Sequence, residues 1–250
     1  MKDPYVTLDI ENQVGYIEFF HPSHNALPSK LLQELVRTIK DAGANDAIKV
    51  IVLKSGGDRT FCAGASFQEL INVNDEASGK TFFSGFSDLI NTMRECPKFI
   101  IGRIQGKAVG GGVGLVAVTD YCFATKFASV KLSELSLGFG PFVIEPALKR
   151  KLGLSKMSQL MMDANNFYSA EWAKENGLFV DIFETSDALD SAVKTFAENM
   201  SQYSPEAMKQ LKSVLWEGTE HWGKLLDERA AISGKLVLSK FTKETLKRFK

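Results

Sequence analysis

Residues 110–118, Gly-Gly-Gly-Val-Gly-Leu-Val-Ala-Val, constrain this chain more than any other stretch. Val113, Leu115, Val116 and Val118 would give a helix apolar side chains on nearly every side, so such a helix has to be buried, with the glycine triplet at its first turn. Just before it, Phe99, Ile100, Ile101 and Ile104 form a short run rich in β-branched residues that Gly106 breaks, the pattern of a strand ending at a turn. Free amides of the first helical turn then face whatever sits there, backed by the positive end of the helix dipole, and glycine lets a ligand come close to the backbone. An oxyanion or a phosphate suits such a place. Close helix-to-strand packing explains an isolated triplet equally well, but Thr60 to Ala65, after the apolar strand Val50 to Leu53, offers a second small-residue turn. Two such turns can converge on one oxygen.

Several ordered stretches, HPSHNAL at 21–27, FCAGASFQEL, IQGKAVGGGVGL, LSELSLG and EWAKENGLFVDIF at 171–183, together resemble the crotonase, or enoyl-CoA hydratase/isomerase, family over nearly the whole chain. The resemblance implies an α/β fold, a crotonase-like spiral of repeated ββα units with a helical C-terminal segment. It divides the chain into a core at 1–184 and a helical oligomerisation segment at 185–250, with a homotrimer or a dimer of trimers as the assembly. It assigns the backbone amides of Ala63 and Gly111 to the thioester oxygen, where they stabilise an enolate. Preorganised donors of this kind contribute about a hundred- to a thousandfold each in a water-poor site. By the same resemblance Ala26, Ala65, Ser66, Gly110, Gly114, Pro141 and Phe142 belong to substrate binding, and residues 240–250 approach the coenzyme's phosphates. Family members often carry Asp where this chain has Ser66. The implied ligand is a coenzyme A thioester, bound as substrate, with no further cofactor and no metal.

Most hydratases of the family place one glutamate three residues after the middle glycine and a second twenty residues further on. Here the first place is Gly114 and the second is Glu134. Two carboxylates let one activate water while the other handles the α-carbon proton; one carboxylate suits a proton carrier between carbons 2 and 4 of a β,γ-enoyl thioester, which is the isomerase pattern. Burial would raise its pKa toward the working range. The resemblance also reaches a bacterial methylglutaconyl-CoA hydratase-like branch through Val113, Gly114, Leu115, Ser133 and Pro141, and it favours hydration over isomerisation. A decarboxylase and a non-catalytic acyl-CoA binder remain as further readings. Glu145, in the first turn of a helix expected from about Phe142 to Leu152, is a candidate to replace the missing carboxylate, with dipole stabilisation as its simpler role. Lys107 and Lys149 are candidates to face a distal carboxylate of a substrate. LSELSLG reads as an alternating loop, turning Ser133 and Leu135 to opposite sides.

The remaining chain reads as scaffold. With 250 residues, 44% hydrophobic content and zero formal charge it has ample core and no basic excess for nucleic acid. No apolar stretch reaches membrane-spanning length, and the start lacks a signal core, which leads to a cytoplasmic expectation. Residues 5–11 and 14–20 should pair as a hairpin around Asn12-Gln13, followed by a helix near Pro28 with Leu31, Leu32, Leu35, Val36 and Ile39 inward. His21 and His24 read as loop histidines within reach of a phosphate. Helices are expected at Gly79 to Arg94, where Phe82, Phe83 and Phe86 are core or acyl wall, at Ser155 to Asp163 and at Ser169 to Asn176. Phe179 to Phe183 reads as a short strand, then Ala188 to Met200, Pro205 to Trp216, Trp222 to Leu238 and Lys240 to Lys250 as helices. Cys62, Cys96 and Cys122 lack metal-ligand spacing and read as buried thiols.

Overall fold

Asn12 and Gln13 take φ of 50° and 65°, the left-handed pair that matches the twist of two strands joined by a two-residue turn. The computed structural model describes residues 3–248. From this hairpin, β1 (Tyr5–Glu11) and β2 (Val14–Phe20), the chain passes into α1 (Ser29–Ala44), β3 (Val50–Ser55), β4 (Thr60–Cys62), α2 (Phe67–Ile71) and α3 (Glu76–Glu95). Next come β5 (Ile100–Ile104), β6 (Lys107–Val109), α4 (Gly111–Val118), β7 (Tyr121–Thr125), β8 (Ser129–Lys131), α5 (Glu134–Leu137) and α6 (Glu145–Met162). The chain closes with β9 (Tyr168–Ser169), α7 (Ala170–Glu175), β10 (Asp181–Phe183), α8 (Ser186–Ser201), α9 (Pro205–Leu215), α10 (Trp222–Leu236) and α11 (Lys240–Lys247).

Each of β3, β5 and β7 is followed within a few residues by a short strand that belongs to a different sheet. The larger sheet runs β1-β2-β3-β5-β7-β10 and is parallel beyond the first hairpin; the smaller runs β4-β6-β8-β9, with only β8 and β9 antiparallel. Strand, strand and helix thus recur as a spiral, the expected crotonase-like architecture. The larger sheet is covered on both faces, as parallel strands require. On one side α1 buries Leu31, Leu32, Leu35 and Ile39, and α4 is enclosed from Gly112 to Val118. On the other, Leu189, Val193 and Ala197 of α8 pack on Val50, Val52 and Ile101.

Helices α3 and α10 cross at a pair of glycines. A Cβ on Gly79 would lie 2.8 Å from the Cα of Gly234, so backbone rests on backbone. Beyond the crossing, α3 turns Phe82 and Phe86 inward.

Three expectations shift. Pro141 lies in a turn, and α6 opens at Glu145 with Pro146 in its first turn, where a missing N–H leaves nothing unpaired. The two helices expected at 142–152 and 155–163 form one element interrupted at Gly153, whose φ of 68° breaks the helix there. LSELSLG is not an alternating loop, since Glu134 to Leu137 make a helical turn closed by Gly138 at φ 101°. The amphipathic C-terminal helix is present as α11, with Thr242 and Leu246 buried; Phe249 and Lys250 of that expectation lie outside the described residues. Among the described residues no helix is long and apolar enough to cross a membrane.

Candidate active site

The site begins at the tight turn before α1, where His24 and Asn25 both have φ of 55°. That geometry aims the Asn25 amide across the fold, where Nδ2 donates to the carbonyls of Gly56 and Thr60, at 2.8 Å each. Gln105, also buried, donates to Ser55 Oγ at 2.9 Å and to Gly57 O at 3.1 Å. These side chains hold the approach to β4. After β4 the chain bends at Gly64, φ 85°, where a Cβ would lie 2.8 Å from Val109 O and 3.2 Å from Gly111 N. The two small-residue turns read from the sequence therefore meet.

Their free donors are not quite the expected pair. The N–H of Ala63 donates to His24 O at 3.2 Å, and Leu27 N–H donates to Gly64 O at 2.8 Å. Ala63 lines the cavity, but its amide is committed, which corrects the expectation of a free donor there. Ala65 N–H has no hydrogen bond among the described residues and faces the same cavity. Gly111 N–H opens α4 and has no intrahelical acceptor, as expected of a first-turn amide.

Around these amides lies a cavity of about 390 Å³ walled by Leu70, Phe82, Phe83, Phe86, Phe142 and Ile144, with Pro141 and Ser233 at its edges. Glu134 enters beside Gly110, whose absent side chain is what admits it: a Cβ there would stand 2.8 Å from Glu134 Oε1. Glu134 as a whole is half-buried, yet its Oε2 is sealed from solvent without a hydrogen-bond partner. Burial pushes its carboxyl up to about 7, partly offset by the backbone amides of Glu134 and Ser133.

Gly114 does not line the cavity, which corrects its assignment to substrate contact. A Cβ at Gly114 would be 2.8 Å from Ile144 Cβ, so the isoleucine occupies the space where a side chain at 114 would begin. Glu145 does not replace the missing carboxylate either. It turns outside the lining toward Arg229, 3.8 Å from Nη2.

A second groove of about 520 Å³ adjoins the cavity at Ala63, Ala65 and Phe67 and extends past Ala26, Ser66 and His21. Ser66 caps α2 there, accepting from Glu69 N–H. Burial lowers the His21 pKa, and its Nδ1 accepts from Ser23 N–H at 3.1 Å; His24 is exposed and outside the groove. Cys62, beneath the turn, is fully buried with its thiol pushed up to about 12, which removes it as a nucleophile. Lys107 and Lys149 are exposed and outside the cavity lining, whereas Lys131, passed over in the sequence, is part of it. Its signal was alternation in Ser129-Val130-Lys131, which reads as a solvated strand face.

The spiral of ββα units has close counterparts among known proteins. The chain belongs to the enoyl-CoA hydratase/isomerase family, whose sequence model matches residues 9–249. The bacillaene synthase dehydratase PksH of Bacillus subtilis is 31% identical, over 74% of this chain and 72% of that protein. The peroxisomal Delta(3,5)-Delta(2,4)-dienoyl-CoA isomerase of Arabidopsis thaliana is 28% identical, over 87% of this chain and 84% of its own. In fold, the crystal structure of enoyl-CoA hydratase from Bacillus halodurans superposes with a TM-score of 0.90 at 21% identity, over 98% and 99% of the two chains.

Proposed function

We propose that this chain acts on coenzyme A thioesters through a thioester enolate, with Glu134 as its single proton carrier, and that the reaction is a 1,3-proton transfer in a β,γ-enoyl thioester. The thioester oxygen accepts from the Ala65 and Gly111 amides. Glu134, ionised, takes a proton from carbon 2; the electron pair passes to the thioester oxygen, where those amides and the positive end of α4 oppose the charge. The same carboxyl then returns the proton to carbon 4, and the double bond moves from between carbons 3 and 4 to between carbons 2 and 3. The coenzyme lies along the groove past Ala26 and Ser66.

The observation that carries this reading is Ile144 against Gly114. Glu134 is the only carboxylate among the residues lining the cavity, and apolar surface stands where a second would begin. Hydration, which the sequence resemblance favours, is the second reading, supported by the dehydratase name of the 31% identical relative. It requires neutral groups to hold the attacking water.

Incubation with trans-3-hexenoyl-CoA and crotonyl-CoA in heavy-oxygen water, followed by mass, separates the two. The expected result is a shifted double bond without oxygen gain, and incorporated oxygen would replace isomerisation by hydration. Glu134→Gln should lower turnover by about a hundred- to ten-thousandfold, the usual range for a general base. Because the ionised carboxyl starts the reaction, kcat/KM of the wild type should fall as pH drops through about 7. Full turnover in the Gln variant would end the single-carboxylate reading.

A further inference from the structure

The order of the smaller sheet, β4-β6-β8-β9, also orders the groups along its edge. Ala65 follows β4, Gly111 follows β6, Glu134 follows β8, and Asn165 precedes β9. The groove past Ser66 joins at the β4 end. With neighbouring strands about 4.8 Å apart, β8 lies roughly 10 Å from β4, on the side of the reacting amides away from that groove.

At this far side stands Lys131, the last residue of β8 and, with Glu134, one of two charged residues lining an otherwise mostly apolar cavity. Its Nζ donates to Asn165 O at 2.9 Å and lies 5.3 Å from the centre of the Phe167 ring. Lys107 Nζ is 5.0 Å from the centre of the same ring. Two ammonium groups thus gather on one aromatic ring, and among the described residues neither has a carboxylate partner. The backbone carbonyl takes one of the Lys131 donors; an ammonium has three. Asn165 itself is among the residues lining the cavity, and its side-chain amide has no partner among the described residues.

We propose that Lys131, with Asn165 beside it, binds a carboxylate at the distal end of the acyl group, so that the substrates are short dicarboxylic acyl-CoA thioesters. This rests on the reading of the cavity as the acyl site of a coenzyme A thioester. The ammonium supplies charge and donors at the end of a chain whose middle the phenylalanine walls enclose, and Lys107 strengthens the field from the rim. A methyl-ended chain leaves that cation unanswered.

Calorimetric titration of the full chain with glutaryl-CoA, pentanoyl-CoA and free coenzyme A tests this without turnover, since neither saturated thioester has a double bond to move or hydrate. The wild type should bind glutaryl-CoA about tenfold tighter than pentanoyl-CoA, the order of one partly solvated charge-assisted contact. Lys131→Met should erase that preference and leave pentanoyl-CoA and coenzyme A unchanged, and Lys131→Arg should keep part of it. Equal wild-type affinity for the two thioesters overturns the proposal alone. An equal loss for all three ligands in Lys131→Met also overturns it, by giving the lysine to the coenzyme's phosphates. No binding of any of the three overturns the acyl-CoA reading and this proposal with it.

Discussion

The two ends of α4 bury charge in opposite ways. Just past its C-terminus, Asp120 accepts from Lys212 Nζ at 2.9 Å, Trp216 Nε1 at 2.8 Å and Ile100 N–H at 2.7 Å. Lys212 spends its other donors on Met93 O and Lys98 O. Near its N-terminus Glu134 keeps a sealed oxygen with no partner, and two amides stand free. Every group at the first end is answered within the fold, so that end ties α9 to the core beneath α4. Unanswered groups at the other end are costly to the fold, and they are what a ligand can complete. Burial alone therefore does not mark a carboxylate open to a ligand; the missing partners do.

The largest effect that would test this contrast is Lys212→Met, which leaves Asp120 buried without its cation. It should destabilise the protein by about 3 to 5 kcal/mol in urea denaturation. Loss of less than about 1 kcal/mol would show that the completed end is not a structural tie. Next, Gly114→Ala presses a methyl group onto Ile144 and should cost about 1 to 3 kcal/mol, measured the same way. Ile144→Val, which removes only Cδ1 at 3.8 Å and keeps the nearer Cγ2, should not return the loss.

A third effect is a pH-dependent gain. Glu134 holds its proton up to about pH 7 in the folded protein but only to about 4.5 when unfolded. Its favourable contribution is therefore complete below about 4.5 and lost as pH rises through about 7. Glu134→Gln, neutral throughout, should melt higher than wild type at about pH 8, with the difference shrinking toward about pH 5. A difference that grows on acidification would contradict the unpartnered burial of this carboxyl.

Local chemistry made much of this legible in the sequence. Asn12-Gln13 sits between alternating strands, and α4 is apolar on every side, so hairpin and buried helix were both evident. Glu134 was legible only through the resemblance to the crotonase family, which places a glutamate there; by its own surroundings it reads as a surface carboxylate. The choice between Ala63 and Ala65 was not legible, because it depends on the His24 carbonyl, 39 residues away in sequence, and on the bend at Gly64. Nor did the sequence reveal what fills the space at Gly114, since Ile144 arrives from the turn before α6. Lys131 was hidden for a related reason. A lysine on a short alternating strand looks solvated until the neighbouring loop brings Asn165 and Phe167 around it.

The glycine crossing of α3 and α10 has a consequence for how the cavity beside Glu134 can be resized. Phe82, Phe83 and Phe86 belong to one of these helices and Ser233 to the other, so the crossing acts as a shim that fixes the gap between two walls. At zero thickness, with Gly234 Cα 2.8 Å from a would-be Cβ on Gly79, the walls stand as near as backbone allows. Any residue larger than glycine at either position can only thicken the shim. The chamber can thus be widened from a point that is not part of its lining, and narrowing it requires larger side chains on the walls themselves.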